Sequence, residues 1–239
     1  MRNDGPLEAT EDCACSFSFT LAVRENSTGL ERNPMSLTDT ALPRKVNHEY
    51  FLKDVWAYAS QVNQFTRTDW LIYIAWVGLM MGLLISICSF IGVGWYHGVR
   101  YPDYVWNLPL GTFIFIGAIA FDTIGHRTAY KVELKKGEEL VHHITIFAGI
   151  TSCVLMTAAY NHRDFLRIPA IAMTLLAVFY SMIDEALHWR RYLSGYSDRV
   201  EMWSHFFIFT GHFIMMMAWY YWFDQGYPGV AETLKIITG

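Results

Sequence analysis

The chain predicts an all-α, polytopic membrane protein with about five transmembrane helices, the last four forming two repeated helical hairpins, and three observations carry that prediction. Only 17% of its 239 residues are charged and 53% are hydrophobic, against a charged share of about 25% in soluble domains. Five apolar runs are long enough to cross a bilayer. The last four of them carry a motif that recurs at one fixed offset. The net charge of −4 leaves no basic footprint for nucleic acid, and four cysteines without regular spacing give no disulfide framework.

Taken in order, residues 1–47 read as a disordered polar arm, with Pro6, Pro34 and Pro43 scattered among acids and no sustained apolar period. The Cys13-x-Cys15 pair in this arm reads as incidental, and Met35 offers an alternative start. Residues 48–68 form an amphipathic segment expected to lie on the membrane surface. From Trp70 to Val99 there is no Asp, Glu, Lys or Arg across 30 residues, more than the roughly 20 that a helix needs to span a bilayer. Tyr104–Phe121, Leu140–His162, Ile168–Ile183 and Met202–Phe223 supply four further spans. The membrane domain therefore covers 70–224, with repeat one at 105–160, repeat two at 167–222 and a short tail at 225–239. Aromatics such as Trp95, Tyr96, Trp219 and Trp222 gather at span ends, as interfacial belts do.

Lys53, Arg67, Arg127, Lys131, Lys135, Lys136, Arg190, Arg191 and Arg199 fall on one side of these spans, while Arg100, Arg163, Arg167 and Lys235 fall on the other. The positive-inside rule then places the N-terminus in the cytoplasm and the C-terminus outside. These loop cations are expected to anchor headgroups. Cys88 and Cys153 read as small packing residues within the spans.

The chemistry lies in acids and histidines at helical spacing. Asp122, His126, Glu139 and His143 recur as Asp184, His188, Glu201 and His205, each displaced by 62 residues, so both halves spell D-x3-H-x12-E-x3-H. Under the same shift Tyr130 matches Tyr192, Ile146 matches Ile208, Phe147 matches Phe209 and Gly149 matches Gly211. A fixed offset signals a repeated structural unit, here two hairpins related by an axis along the membrane normal. Residues four apart share a helix face. In a symmetric hairpin the eight groups fall into two layers about 6 Å apart at a rise of about 1.5 Å per residue. Asp122, His143, Asp184 and His205 form the deeper layer; His126, Glu139, His188 and Glu201 form the shallower. His212 lies seven residues beyond His205 on the same face, as a further ligand or a neighbour of one. Glu185-x-x-His188 and Glu139-x-x-His142 offer the i, i+3 alternative used in carboxylate-bridged bundles.

A lone histidine in a span is ordinarily a hydrogen-bonded packing residue, but that reading does not account for four acid–histidine pairs in one register. Ionisable groups at membrane depth are expensive unless paired, and they mark ion paths, proton relays or metal sites. Mixed imidazole and carboxylate ligands without cysteine select two metal ions, iron first, with copper, manganese and zinc as alternatives. Carboxylates at every pair argue against haem. A histidine-rich cluster at helix ends resembles the integral-membrane fatty-acid desaturase and hydroxylase superfamily, ExxHH at Glu139–His143 standing nearest to its HxxHH boxes. The D-x3-H motif with a later histidine is similar to the C subunits of the membrane methane and ammonia monooxygenases, over the last four spans alone. The ligand set itself, open to the cytoplasm and roofed by lipid, is expected to form a di-metal oxidoreductase that activates dioxygen at the cytoplasmic face to hydroxylate or desaturate a lipid-soluble substrate; neither resemblance assigns that substrate. An external electron donor is implied, because no dinucleotide or flavin fingerprint occurs. Tyr130 and Tyr192 are expected to anchor at the interface or to pass electrons. A metal-ion or proton transporter, and a non-catalytic subunit of a membrane oxygenase complex, are the rival expectations.

Overall fold

The computed structural model describes residues 51–129, 136–195 and 197–239, with the side chains of Lys136, Glu138 and Glu139 outside the description. The polar arm with Cys13, Cys15 and Met35, and Tyr130 in the second loop, also lie outside the described residues. Every regular element among the described residues is helical: α1 (Phe51–Ala59), α2 (Arg67–Tyr96), α3 (Asn107–Arg127), α4 (Lys136–Ala158), α5 (Arg163–Leu193), α6 (Arg199–Asp224) and α7 (Val230–Thr238). Five of these, α2 to α6, are long and apolar enough to cross a membrane, which makes this an all-α multi-pass membrane protein. Within the 48–68 segment the described residues, 51–68, hold α1, a short 3-10 turn, Ser60–Gln64, and the first residues of α2, and the 225–239 tail carries α7.

A capping box opens α2. Thr66 Oγ1 accepts from the Asp69 amide and the Asp69 carboxylate accepts from the Thr66 amide, satisfying amides that a helix start leaves open. The same Asp69, buried, accepts from Arg127 Nε at 2.7 Å, tying the start of α2 to the end of α3. Arg199 at the start of α6 donates to Asp54 of α1 at 2.9 Å and lies over the Phe51 ring. Arg127 and Arg199 are thus helix-to-helix ties, a correction to their reading as headgroup anchors. Charge counting places an arginine on a side of the membrane; it does not say whether the side chain turns inward.

The helices of the two repeats pack mainly across repeats. α3 lies along α6, and α4 along α5. Glycine makes the first of these possible: a Cβ on Gly111 would lie 2.5 Å from the Met215 amide nitrogen, and one on Gly211 would lie 2.5 Å from that of Phe115. The two backbones therefore touch, as small residues allow in membrane bundles. α5 also packs on α6, whereas α4 makes no close backbone approach to α2 or α3 among the described residues.

At the opposite end from the polar ties, Tyr227 holds φ 58° in the turn between α6 and α7 and donates its hydroxyl to the Met156 carbonyl at 2.5 Å. Burial pushes that hydroxyl up to about 12. Tyr101 is hydrogen-bonded to Thr233 of α7, and Ile91, Leu108, Met156, Met216 and Phe223 fill the core around this end. Large apolar side chains such as Leu71, Ile74, Ile85, Phe147, Phe165 and Leu175 stay exposed along the spans, the surface that lipid would cover.

Candidate metal centre

Four helices bring two carboxylates and four imidazoles together. Asp122 and His126 come from the last turns of α3, His142 from the start of α4, Asp184 and His188 from the last third of α5, and His205 from the second turn of α6. Asp122 Oδ1 lies 2.8 Å from His205 Nε2 and 3.3 Å from His126 Nε2. Asp184 Oδ1 lies 3.7 Å from His188 Nε2, and its Oδ2 lies 3.2 Å from His142 Nδ1. The His188 and His205 rings stack with centroids 3.2 Å apart at 16°. Two three-residue groups have their ligating atoms within 4.8 Å of one another: Asp122, His126 and His205, and Asp184, His188 and His205.

This arrangement departs from the two layers that the sequence predicts. Asp122 joins His126 as well as His205, so deep and shallow positions merge into one cluster. His143, expected as the partner of Asp122, is exposed, and its neighbour His142 faces the cluster instead. The two rings sit about 100° apart around α4, at 3.6 residues per turn, and packing on α5 turns His142 inward. Glu201 contacts Arg191 and lies 3.7 Å from His188 Nδ1, outside both three-residue groups. Glu185 is half-buried outside the groups and lines a groove with Trp189 and Phe209. His212 is buried but stacks on Phe115 at 5.5 Å, away from the groups. The Glu139 side chain is outside the described residues.

Arg191 departs from its sequence reading as Arg127 and Arg199 do. It was expected at the headgroups, yet its guanidinium reaches Glu201 and stands 3.0 Å from His188 Nδ1. The available signal was its position three residues after His188, on the same helix face. Tyr192 is half-buried and packs on Trp189 at 6.2 Å.

The donor set fits a metal. Asp122 Oδ1, His126 Nε2, Asp184 Oδ1 and His205 Nε2 are buried and, among the described residues, meet one another and His188 in ion-pair contacts without well-formed hydrogen bonds, although buried polar atoms are normally satisfied. Imidazole nitrogen and carboxylate oxygen are the ligands that iron, manganese and zinc accept.

The cluster ends a cavity of ≈ 300 Å³ whose wall includes Asp122, His142 and Asp184. Its remaining wall is largely apolar, from Trp76, Leu79 and Met80 on α2 to Ile150, Cys153 and Val154 on α4. Leu79, Ile150 and Val154 are also exposed on the outer surface, which puts a mouth between α2 and α4.

Fold and site together define a multi-pass membrane protein with a buried histidine–carboxylate cluster at one end of its bundle. No protein family, curated protein or solved structure matches the chain.

Proposed function

We propose that this protein is a membrane-embedded di-metal oxidoreductase, with iron as the first expectation, that activates dioxygen and hydroxylates or desaturates a lipid-soluble substrate. The observation that carries the reading is the convergence of two aspartates and four histidines on the end of an apolar cavity that opens between membrane helices. Asp122, His126 and His205 would hold one ion. A single imidazole nitrogen ligates one ion, so Asp184 and His188 take His142 as their third ligand rather than sharing His205. Bound there, the metals would supply dioxygen reduction and hydrogen abstraction.

The chain itself does the rest. Asp122 and Asp184 neutralise cationic charge where the bilayer would penalise it. Arg191 compensates Glu201, whose carboxylate, 3.7 Å from His188 Nδ1, can take that ring N–H and leave Nε2 to ligate, as carboxylate partners of ligating histidines do. The apolar wall excludes water and aligns a hydrocarbon against the cluster. By the distribution of Lys and Arg the cluster faces the cytoplasmic leaflet, with the N-terminus inside and the C-terminus outside. An external donor supplies electrons from that side.

The test is metal analysis of detergent-purified protein beside the double variant Asp122→Ala/Asp184→Ala. We expect about two irons per chain in the parent, as in other carboxylate–histidine bundles, and their loss in a folded variant. A folded parent that stays metal-free when offered ferrous iron overturns the proposal. Oxygen consumption with a chemical reductant supports the oxidoreductase; metal uptake into proteoliposomes without oxygen consumption would instead identify a transporter.

A further inference from the structure

The ligating cluster occupies one end of the cavity, and one further imidazole stands in the wall away from it. His212 is 4% exposed and lies near the middle of the 26-residue α6. It is seven residues beyond His205, about 10 Å along a helix that rises about 1.5 Å per residue. Its ring stacks on Phe115 at 27°, and no hydrogen bond reaches its nitrogens among the described residues. Gly149 stands directly beside it: a Cβ there would touch His212 Nε2 at 3.6 Å, so the glycine leaves a notch next to the nitrogen, and both residues line the cavity. A polar group held at mid-membrane without a partner is costly, and a ligand in the cavity can supply that partner.

We propose that the cavity takes a neutral, single-chain amphiphile whose hydroxyl or carbonyl oxygen hydrogen-bonds His212, about 10 Å from the ligating cluster at the helical rise. This rests on the reading of the cluster as a metal centre acting on a lipid-soluble substrate, and it names the class of that substrate. The volume of ≈ 300 Å³ is at the small end of ligand pockets, which admits one chain and excludes a two-chain phospholipid. The depth of His212 excludes a charged head: carrying a carboxylate or phosphate to mid-membrane is expensive, whereas a hydroxyl or carbonyl crosses at far lower cost. Neutral imidazole offers one donor and one acceptor, matching either oxygen. With the oxygen fixed there, the carbons that reach the cluster are those about 10 Å away at the helical rise, so His212 selects the position presented for oxidation.

The test is photolabelling of the full chain in nanodiscs by a diazirine-bearing dodecanol, with dodecanol, dodecane and dodecanoate as competitors and empty nanodiscs as the blank. Dodecanol is expected to compete about tenfold better than dodecane, the worth of one buried hydrogen bond. Dodecanoate is expected to do no better than dodecane. His212→Phe keeps a ring on Phe115 and should abolish the discrimination; His212→Gln keeps a donor and an acceptor and should retain it. Equal competition by dodecanol and dodecane in the parent, or discrimination that persists in His212→Phe, overturns the proposal. Should His212→Phe not fold, the parent comparison decides alone. Metal content of the same samples separates the two readings. Discrimination in a metal-free protein leaves the amphiphile site standing and removes the metal centre; a metal-loaded protein without discrimination does the reverse.

Discussion

The two repeats carry the same aspartate and histidine motif and close in different ways. In the second, α5 packs on α6, and Arg191 joins Glu201 beside His188. In the first, α3 and α4 stand apart among the described residues and the cavity fills the gap. The equivalent positions explain part of this: Arg191 corresponds to Ala129, His212 to Ile150, and His142 to Ser204. The lesson is that a duplicated ligand set can be kept while its flanking positions divide the labour. One repeat seals the cluster with a buried ion pair; the other opens a path to it.

The strongest way to break that comparison is to unseal the second repeat. Arg191→Met leaves the Glu201 carboxylate, 1% exposed in the present fold, buried without its compensating cation. Removing one partner of a buried pair costs about 3–5 kcal/mol, and replacing both by apolar groups is often neutral. Unfolding in detergent should therefore show a large loss in Arg191→Met and recovery in Arg191→Met/Glu201→Leu. A single variant as stable as the parent would remove the pair from its sealing role.

The repeated glycines give the next contrast. Gly211 sits where α3 and α6 touch, and Gly149 faces the cavity. Gly211→Ala should destabilise by about 1–3 kcal/mol, the range for overpacking a tight contact. Gly149→Ala, meeting only an ordinary contact, should fall within about 0.5 kcal/mol of the parent. Equal losses at both would mean that α4 approaches its neighbours as closely as α3 approaches α6.

Adjacent histidines sharpen the same comparison at the cluster. His142→Ala should weaken metal retention by at least the 10- to 100-fold (about) that losing a partner of a ligand already costs. His143→Ala should match the parent. Metal content after dialysis against a chelator reads both, and loss in the His143 variant alone would restore the register that the sequence repeat implies.

Much of this architecture was legible because the bilayer imposes a simple rule. A 30-residue uncharged run can only be a span, and helical spacing puts Asp122 with His126 and Asp184 with His188. What the spacing could not supply was rotation and approach. Whether His142 or His143 faces inward depends on how α4 seats on α5, and both choices satisfy the same periodicity. The repeat implied two equivalent hairpins, but Gly111 and Gly211 draw α3 onto α6 and leave α4 to α5. Arg191 shares its span-end position with other arginines, and its place three residues after His188 puts it on the ligand face without saying that it is buried; burial is what separates a compensating charge from a headgroup anchor.

That distinction gives the smallest prediction and the clearest control on the largest. Arg167 lies near the start of α5 and Arg191 near its end, each opposite a carboxylate of α6. The Arg167 and Asp224 side chains are 55% and 34% exposed, against 10% and 1% for Arg191 and Glu201. The chemistry is the same and the dielectric surroundings are not. An exposed pair gains little over its hydrated ions, so Arg167→Ala should cost no more than about 1 kcal/mol. The cost should shrink further in high salt, which screens exposed charges more than buried ones. If Arg167→Ala instead matched Arg191→Met, exposure would not be what separates the two pairs. Arg191 would then lose its claim to seal the second repeat, and the contrast between the repeats would rest on the cavity alone.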